Sequence, residues 1–377
     1  MATSKGLGKR KDTILSILVL LPSMILVGIF VYGFIGNSIW VSLTDWGRGA
    51  GLAENPVKNF IGMDNYKFIF TNFIQARFRQ DLVNAIFYTL FLLVGTLGLG
   101  LFLAILLDRP VKREGIYRTV FLYPMALSFI VSGTIWRWLV APSGGLNLIP
   151  KIFGLPKWNF LWVSSRDSVL KFNWQNIIQI ILIIAAFVFA IILIRAILNR
   201  KKKAITAYSI LLGLSLLYVF VFHRLLPPIL PVEETHGFNL ATIGILLAAI
   251  WQYSGYAMAL YMAGLRALPA SIKESAMLDG ANEFIYYFKI AIPNLKPITL
   301  SAVVVMAHIS LKMFDLIYAM AGADNGSTGH PSINMYLTTF RANNFAIGAA
   351  IAVVLFLVAA LFIIPYMVHS HKERQGL

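Results

Sequence analysis

"KESAMLDGANEFIYYFKIAIPNLKP", residues 273–297, sets charges, an Asp-Gly pair and two prolines between two long apolar runs. Pro269 follows the first run, and Ser271 with Glu274 three residues later has capping-box spacing. In that box the Ser oxygen accepts from one orphan N–H of the first turn while the Glu reaches back to another. The spacing predicts a short helix starting near Ile272. Asp279-Gly280 should stop it, because glycine takes the left-handed position past a helix end without steric cost. A second helix is predicted after it, with Phe284, Tyr287, Phe288 and Ile292 near one face at i, i+3, i+4, i+8. Pro293 and Pro297 should then break that helix and redirect the chain. The expected product is a surface helix, a hinge and an amphipathic helix bent against a membrane. Such a helix can lie in a partner's groove, or form an interfacial hairpin with no partner; the residues alone leave both readings open.

The rest of the chain decides what surrounds this segment. Of 377 residues, 58% are hydrophobic and 13% charged, and the mean hydropathy is +0.75. Soluble domains carry about a quarter charged residues, so the composition is that of an integral membrane protein. The absence of cysteine excludes disulfides, zinc ribbons and thiol nucleophiles. A net charge of +16 would point to nucleic acid in a soluble protein. Here much of it falls in short connections between apolar runs, where Lys and Arg report membrane topology instead. No nucleic-acid partner is expected.

A bilayer-crossing helix needs about 20 mainly apolar residues. Eight runs qualify: 14–36, 82–107, 116–140, 177–198, 204–226, 240–264, 298–321 and 346–368. The first is longer than a signal-peptide core and lacks an A-x-A cleavage site, so it reads as an uncleaved anchor. Basic residues cluster on one side of these spans: Lys5, Lys9, Arg10 and Lys11, then Arg109, Lys112, Arg113 and Arg118, then "NRKKK" at 199–203, then Arg266, Lys273, Lys289 and Lys296, then Lys372 and Arg374. Arg77, Arg79, Lys151 and Lys171 on the other side are spread through longer segments, where charge has less influence. Both termini and segment 265–297 are therefore expected in the cytoplasm, with 37–81, 141–176, 227–239 and 322–345 outside. "NFIGMDNYKFIF" (59–70) and "GLPKWNFLW" (154–162) interleave aromatic with polar residues, as in an interfacial aromatic belt; a docking surface is the other reading.

"ESAMLDGANEFIYYFKIAIPNLKP" (274–297) resembles the signature loop of permease subunits of binding-protein-dependent ABC importers. Glu274, Ala276, Asp279, Gly280, Ala281, Phe288, Ile290, Pro293 and Pro297 match that pattern in type and spacing, while Ser275 stands where alanine is usual. "LYPMALSFIVSGTIWRWLVAPSGGLN" (122–147) and "LKMFDLIYAMAGADNG" (311–326) are similar to spans of its carbohydrate-uptake branch, which includes maltose, glycerol-3-phosphate and alpha-glucoside permeases. "INMYLTTFRANNFAIGAAIAVVLFLVAALFIIPY" (333–366) is most similar to the alpha-glucoside type. The likeness covers 14–140 and 240–368. Between them, 141–239 inserts an outer segment and two extra spans into the family's six-helix core. Those Ile- and Leu-rich extra spans read as lipid-facing, or as a partner-binding pair.

The resemblance implies an all-α integral membrane protein of about eight transmembrane helices: a six-helix type I permease core with an inserted helical hairpin. Its expected parts are an N-terminal tail (1–13), the first span and outer loop (14–81), the first part of the core (82–140), the insertion (141–239), the second part with its coupling loop (240–368) and a C-terminal tail (369–377). The implied function is translocation of a carbohydrate, an oligosaccharide or glucoside, across the cytoplasmic membrane. The implied partners are a second similar permease, two copies of an ABC ATPase and an external solute-binding protein docking on 322–345 and other outer loops, within membrane lipid. The ATPase would receive the helix 272–279, with Glu274, Ser275, Ala276, Asp279, Gly280, Ala281, Phe288 and Pro293 as coupling residues.

No catalytic constellation competes with this reading. The chain has no G-x-x-x-x-G-K-[ST] phosphate loop; "GLGKRKDT" (6–13) has the wrong spacing. There is no HExxH, and His369 and His371 read as part of a solvated tail rather than a metal site. The chain is thus expected to be no enzyme and to hold no cofactor, with ATP and Mg on the partner ATPase.

For the substrate, Lys312 and Asp315 lie three residues apart in the run 298–321 and can face one side and pair. Each such charge costs about 2.5–3.5 kcal/mol at a helix centre, against about 0.3–0.6 gained per Leu, Ile, Val or Phe, so both should face protein or water. "IWQYSGYAMALYMAGL" (250–265) supplies Trp251, Gln252, Tyr253, Ser254 and Tyr256 within two turns, suited to sugar faces and hydroxyls or to interfacial packing. In maltose-type permeases, which this region resembles, sugar contacts come from such spans. Tyr256 matches an aromatic position there and Trp251 aligns with a neighbouring tryptophan. Gln252, Tyr253, His308 and Lys312 occupy neighbouring positions but differ in type. The alternative function is a secondary transporter or channel driven by an ion gradient, which would use inverted repeats or intramembrane acids; Asp315 is the main embedded carboxylate.

Overall fold

A computed structural model describes residues 4–48, 58–222 and 228–374, without the side chains of 4–14, 362, 366 and 369–374. The side chains of His369 and His371, of the N-terminal cations and of Lys372 and Arg374, the last residues of the run 204–226, and residues 49–57 of the first outer loop lie outside the described residues. Among the described residues, six helices are long and apolar enough to cross a membrane: Leu15–Ser42, Phe73–Asp108, Trp174–Leu198, Lys202–Phe220, Thr242–Ala267 and Phe345–Pro365. Two bent pairs, Glu114–Ala126 with Phe129–Leu139 (99°) and Glu283–Asn294 with Lys296–Leu311 (68°), raise the number to eight. The protein is a mostly helical, multi-pass membrane protein.

One of these bends and one further break correct two expected straight spans. The run 116–140 breaks at Leu127, which is extended (φ −77°, ψ 144°). Ser128 then caps the next helix, its Oγ accepting from Val131 N at 3.3 Å; a Ser side chain competes with the helical ladder in this way. The run 298–321 ends as a helix at Leu311, and a separate helix, Asp315–Ala321, follows.

The described residues form two compact units. One comprises the chain up to Lys67 with Asn334–Ala360. In it, Asn65 Nδ2 donates to Ser42 O (2.8 Å) and Thr44 O (2.7 Å), closing the loop after the first span. Trp46 stacks on Phe345 at 4.7 Å, with the Lys58 ammonium 3.9 Å from its ring centre. The first span presents apolar side chains on every face, as a lipid-facing helix must.

The second unit comprises Phe68–Ile333 and the chain from Leu361. Its centre is the contact between Phe73–Asp108 and Thr242–Ala267. A Cβ on Gly100 would meet Met258 N at 2.8 Å, and one on Gly255 would meet the Phe121 carbonyl carbon at 2.7 Å. Close backbone approach through small residues is how membrane helices gain packing when lipid removes the hydrophobic drive between them.

A small antiparallel sheet, Ser168–Asn173 with Thr235–Asn239, joins the two ends of the insertion. The all-helical expectation contains no strand. These segments are short, and their pairing bridges some 60 residues of intervening chain, a contact with no local signal. The inserted helices Ile177–Leu198 and Lys202–Phe220 pack on each other and leave most of their Ile and Leu side chains exposed.

Beside the sheet lies a buried polar cluster. Arg79 has no exposed side-chain surface and pairs with Glu234, its Nε donating to Glu234 Oε2 at 2.8 Å. Its other nitrogens donate to Ile69 O (3.0 Å) and Asn72 O (2.9 Å). His236 contacts Glu234 Oε2 at 3.2 Å through Nε2 and Gln80 Oε1 at 3.1 Å through Nδ1. Burial pushes His236 below its ordinary 6.5, against the pull of Glu234. Burial alone would raise Glu234, but the hydrogen bond and charge of Arg79, with His236, hold it below its ordinary 4.5. Both groups bind fewer protons folded than unfolded, so their stabilisation is complete above those ordinary values and lost as pH falls. Thermal melting should therefore drop from about pH 6.5 downward and more steeply below about 4.5; His236→Gln should remove the first step, and an unchanged profile in that variant would refute the assignment.

Candidate functional site

The helix of the signature segment runs Ala270–Leu278, with Pro269 at its N-cap and no side-chain cap bond. The expected capping box therefore does not form: helix starts earlier, and Ser271 sits inside the first turn. At the other end, Gly280 has φ +83°, Gly280 N donates to Met277 O (3.1 Å) and Ala281 N to Ala276 O (2.9 Å), a Schellman closure. Asn282 caps the next helix, accepting from Ile285 N at 2.8 Å.

That second helix differs from its expected amphipathic face. Tyr286–Ala291 is a π turn, whose extra residue per turn shifts every later position. Tyr286, Tyr287 and Ala291 are buried, whereas Phe284 and Phe288 are exposed, their rings 4.3 Å apart. Pro293 lies inside the short helix Ile292–Asn294, and Pro297 opens Lys296–Leu311. The bend falls at Leu295 (φ −85°, ψ 5°) between them.

The inner face of this segment is fastened to two long spans. Ala276, Tyr286, Tyr287, Ala291 and Leu295 share one core with Leu103 and Leu107 of Phe73–Asp108 and with Met258, Tyr261 and Leu265 of Thr242–Ala267. Tyr287 OH donates to Asp108 Oδ2 at 2.7 Å, and Arg109 pairs with Glu283 at 2.6 Å. The Lys273 ammonium lies 5.5 Å from the Tyr286 ring centre. Arg266 and Glu114 pair at 2.6 Å nearby.

The outer face of the same helix is uncovered. Glu274, Ser275, Asp279 and Gly280 are exposed, Ala281 is half-buried, Pro293 is exposed and Ala276 is 5% exposed in the core. Met277 and Leu278, absent from the expected coupling set, are also exposed, Leu278 at 89%. A residue two places from a buried one sits about 200° round the helix, so Ala276 facing inward turns Leu278 outward. That phase was readable only with Ala276 known to be the buried position. Tyr287 and Asp108 were likewise missed as a pair, since they are 179 residues apart.

A second feature is a cavity of about 480 Å³ lined by Met125, Phe129, Tyr253, His308, Ile309, Lys312, Met313, Phe314, Asp315 and Leu316. The two helix breaks build it, since Phe129 follows one and Lys312–Asp315 form the other. Three of the expected substrate residues, Tyr253, His308 and Lys312, line it; Trp251, Gln252 and Tyr256 do not. Trp251 packs edge-on against Trp136 at 5.8 Å. Gln252 is buried and its Nε2 donates to Leu127 O at 3.2 Å, a carbonyl at the helix break. Tyr256 is half-buried. Lys312 and Asp315 form no ion pair with each other; the expected pair on one helical face is lost because Lys312 closes one helix and Asp315 opens the next. Phe129 and Phe314, which the sequence reading did not single out, give the cavity aromatic walls; Tyr253 meets Phe129 at 5.9 Å. His308 Nδ1 is buried with no hydrogen-bond partner among the described residues, whereas Lys312 and Asp315 are exposed; imidazole, ammonium and carboxylate thus line one cavity.

Residues 234–372 match the model of the binding-protein-dependent transport system inner membrane component. A probable ABC transporter permease of Pyrococcus horikoshii is 35% identical over 95% of this chain and 96% of its own length. The chain belongs to the permease family of binding-protein-dependent ABC importers. A xylose/arabinose import permease of Haloferax volcanii is 29% identical, covering 93% of this chain and 86% of its own. A trehalose/maltose transport permease of Thermococcus litoralis is 23% identical, covering 95% and 94%. Both of these relatives are named as permeases for sugars. The fold agrees: a chain of a bacterial ABC transporter involved in the import of the acidic polysaccharide alginate superposes with a TM-score of 0.62, at 15% identity, over 98% of this permease and 99% of that chain. A chain of a bacterial alginate ABC transporter in complex with alginate pentasaccharide-bound periplasmic protein superposes with a TM-score of 0.61, at 15% identity.

Proposed function

We propose that this permease is the translocation subunit of an ATP-driven importer for a carbohydrate, an oligosaccharide or glucoside, with both termini in the cytoplasm. A separate ABC ATPase, present twice and carrying ATP and Mg, receives the helix Ala270–Leu278 in a surface cleft. Glu274, Ser275, Asp279 and Gly280 make that contact together with Met277 and Leu278. Ala276, Ala281, Phe288 and Pro293 shape the loop behind it. The observation that carries the reading is the two-sided segment: one face uncovered and apolar at its tip, the other locked into the cores of two spans. A push on the helix is then delivered to Phe73–Asp108 and Thr242–Ala267 rather than absorbed by a loop. A second permease completes the pathway, and an external solute-binding protein delivers the sugar to the outer segments, 322–345 among them.

The sugar reading is supported by the named substrates of the relatives and by the cavity, whose aromatic rings suit sugar C–H faces and whose polar groups suit hydroxyls. Lys312, His308, Tyr253 and Asp315 are the residues assigned to it. Trp251, Gln252 and Tyr256 act through packing of the spans around it.

Reconstituted uptake should require the ATPase, ATP and the solute-binding protein together. Uptake by this chain alone under an ion gradient, with no nucleotide, would overturn the reading in favour of a secondary transporter or channel.

A further inference from the structure

We propose that the turn of the inserted hairpin is a binding site for the headgroups of anionic phospholipids. Arg195, Arg200, Lys201, Lys202 and Lys203 fall within one short stretch, and the sequence has no acidic residue between Asp167 and Glu233. All five are exposed, and none takes part in an ion pair among the described residues.

The fold does not itself call for these cations. The first helix closes with Lys201 N donating to Ala196 O and Arg200 N to Ile197 O, each at 3.0 Å. Arg200 thereby takes φ +52°, the left-handed position where glycine is usual. Lys202 and Lys203 occupy the opening turn of the next helix, which has no acidic residue and where the helix dipole disfavours positive charge. Backbone conformation and local field would thus both be eased by other residues. An anion supplied from outside the chain explains the cluster.

Where the turn lies identifies that anion. The helix Ile177–Leu198 has 22 residues, so it rises about 33 Å, enough for a hydrocarbon core of about 30 Å. Ile181, Ile184, Phe187, Ile194 and Leu198 are exposed along it, so lipid is its natural surrounding. The turn then falls at headgroup level, where Lys and Arg stems stay in the apolar phase and their charges reach phosphate. An acidic protein surface has no comparable claim, because beyond the turn the flanking helices expose mainly apolar side chains along their length.

The cluster also orients the hairpin during insertion, so the test must be made on protein whose topology is already set. The purified full-length permease is placed in nanodiscs of phosphatidylcholine, with or without phosphatidylglycerol, and its melting temperature and retained phosphatidylglycerol (by native mass spectrometry) are measured. The parent should bind phosphatidylglycerol preferentially and melt higher in its presence, the more so at low salt. Arg200→Gly should melt no lower than the parent in pure phosphatidylcholine, because glycine fits the left-handed position, yet bind phosphatidylglycerol about fivefold more weakly. Arg200→Gly/Lys201→Gln/Lys203→Gln should lose on the order of 100-fold. A parent without preference for phosphatidylglycerol, or an Arg200→Gly variant that keeps all of it, would overturn the proposal and leave the charges a topological signal alone.

Discussion

Leu278→Asp is expected to reduce ATP-driven uptake to background while the isolated permease melts as the parent does. Leu278 is 89% exposed and contributes nothing to the fold that a carboxylate would remove. In a partner's cleft it would contribute about 1.5–3 kcal/mol by burial. A carboxylate in its place would lose that term and add a desolvation cost of several kcal/mol. A combined loss of about 4 kcal/mol is roughly a 1,000-fold weaker contact. Co-purification of the ATPase and uptake in proteoliposomes measure the two effects; wild-type uptake in this variant would sink the coupling assignment.

A companion variant separates docking from transmission. Tyr287 is 2% exposed and donates to the half-buried Asp108. A hydrogen bond to a charged group contributes about 1.5–3 kcal/mol, here toward the lower end because Asp108 is partly solvated. Tyr287→Phe should therefore keep the ATPase bound yet hydrolyse ATP with a several-fold lower yield of transported solute.

The second large effect concerns stability. Arg79→Met should lower it by about 3–5 kcal/mol, because Glu234 and the carbonyls of Ile69 and Asn72 lose their donor in a buried site. Adding Glu234→Gln to that variant should recover part of the loss, since no charge is then left unpaired. Thermal melting of the three proteins at neutral pH decides the point; a loss under about 1 kcal/mol in the single variant would show the cluster to be solvated.

The differing legibility of these features has one cause. Apolar run length and the local chemistry of Asp279-Gly280 act over a few residues, so the apolar runs and the hinge could be read directly. The break at Leu127 was less visible, because Ser128 competes with the helix only once Gln252 offers the Leu127 carbonyl a donor. Lys312 and Asp315 carried the right chemistry for a cavity but the wrong geometry: a continuous helix would have paired them, and the observed break parts them.

By itself the sequence determined a multi-pass helical membrane protein with a bent loop at 273–297, since hydrophobic length, glycine and proline impose those features wherever they occur; that the loop is a permease's came from its resemblance to that family. The tertiary structure alone decided which face of that loop is free, which residues line the cavity, and that Arg79 meets Glu234 beside a two-stranded sheet. Those outcomes depend on contacts between residues roughly 60 to 180 positions apart, and on a π turn whose extra residue defeats periodicity; neither leaves a mark on neighbouring side chains.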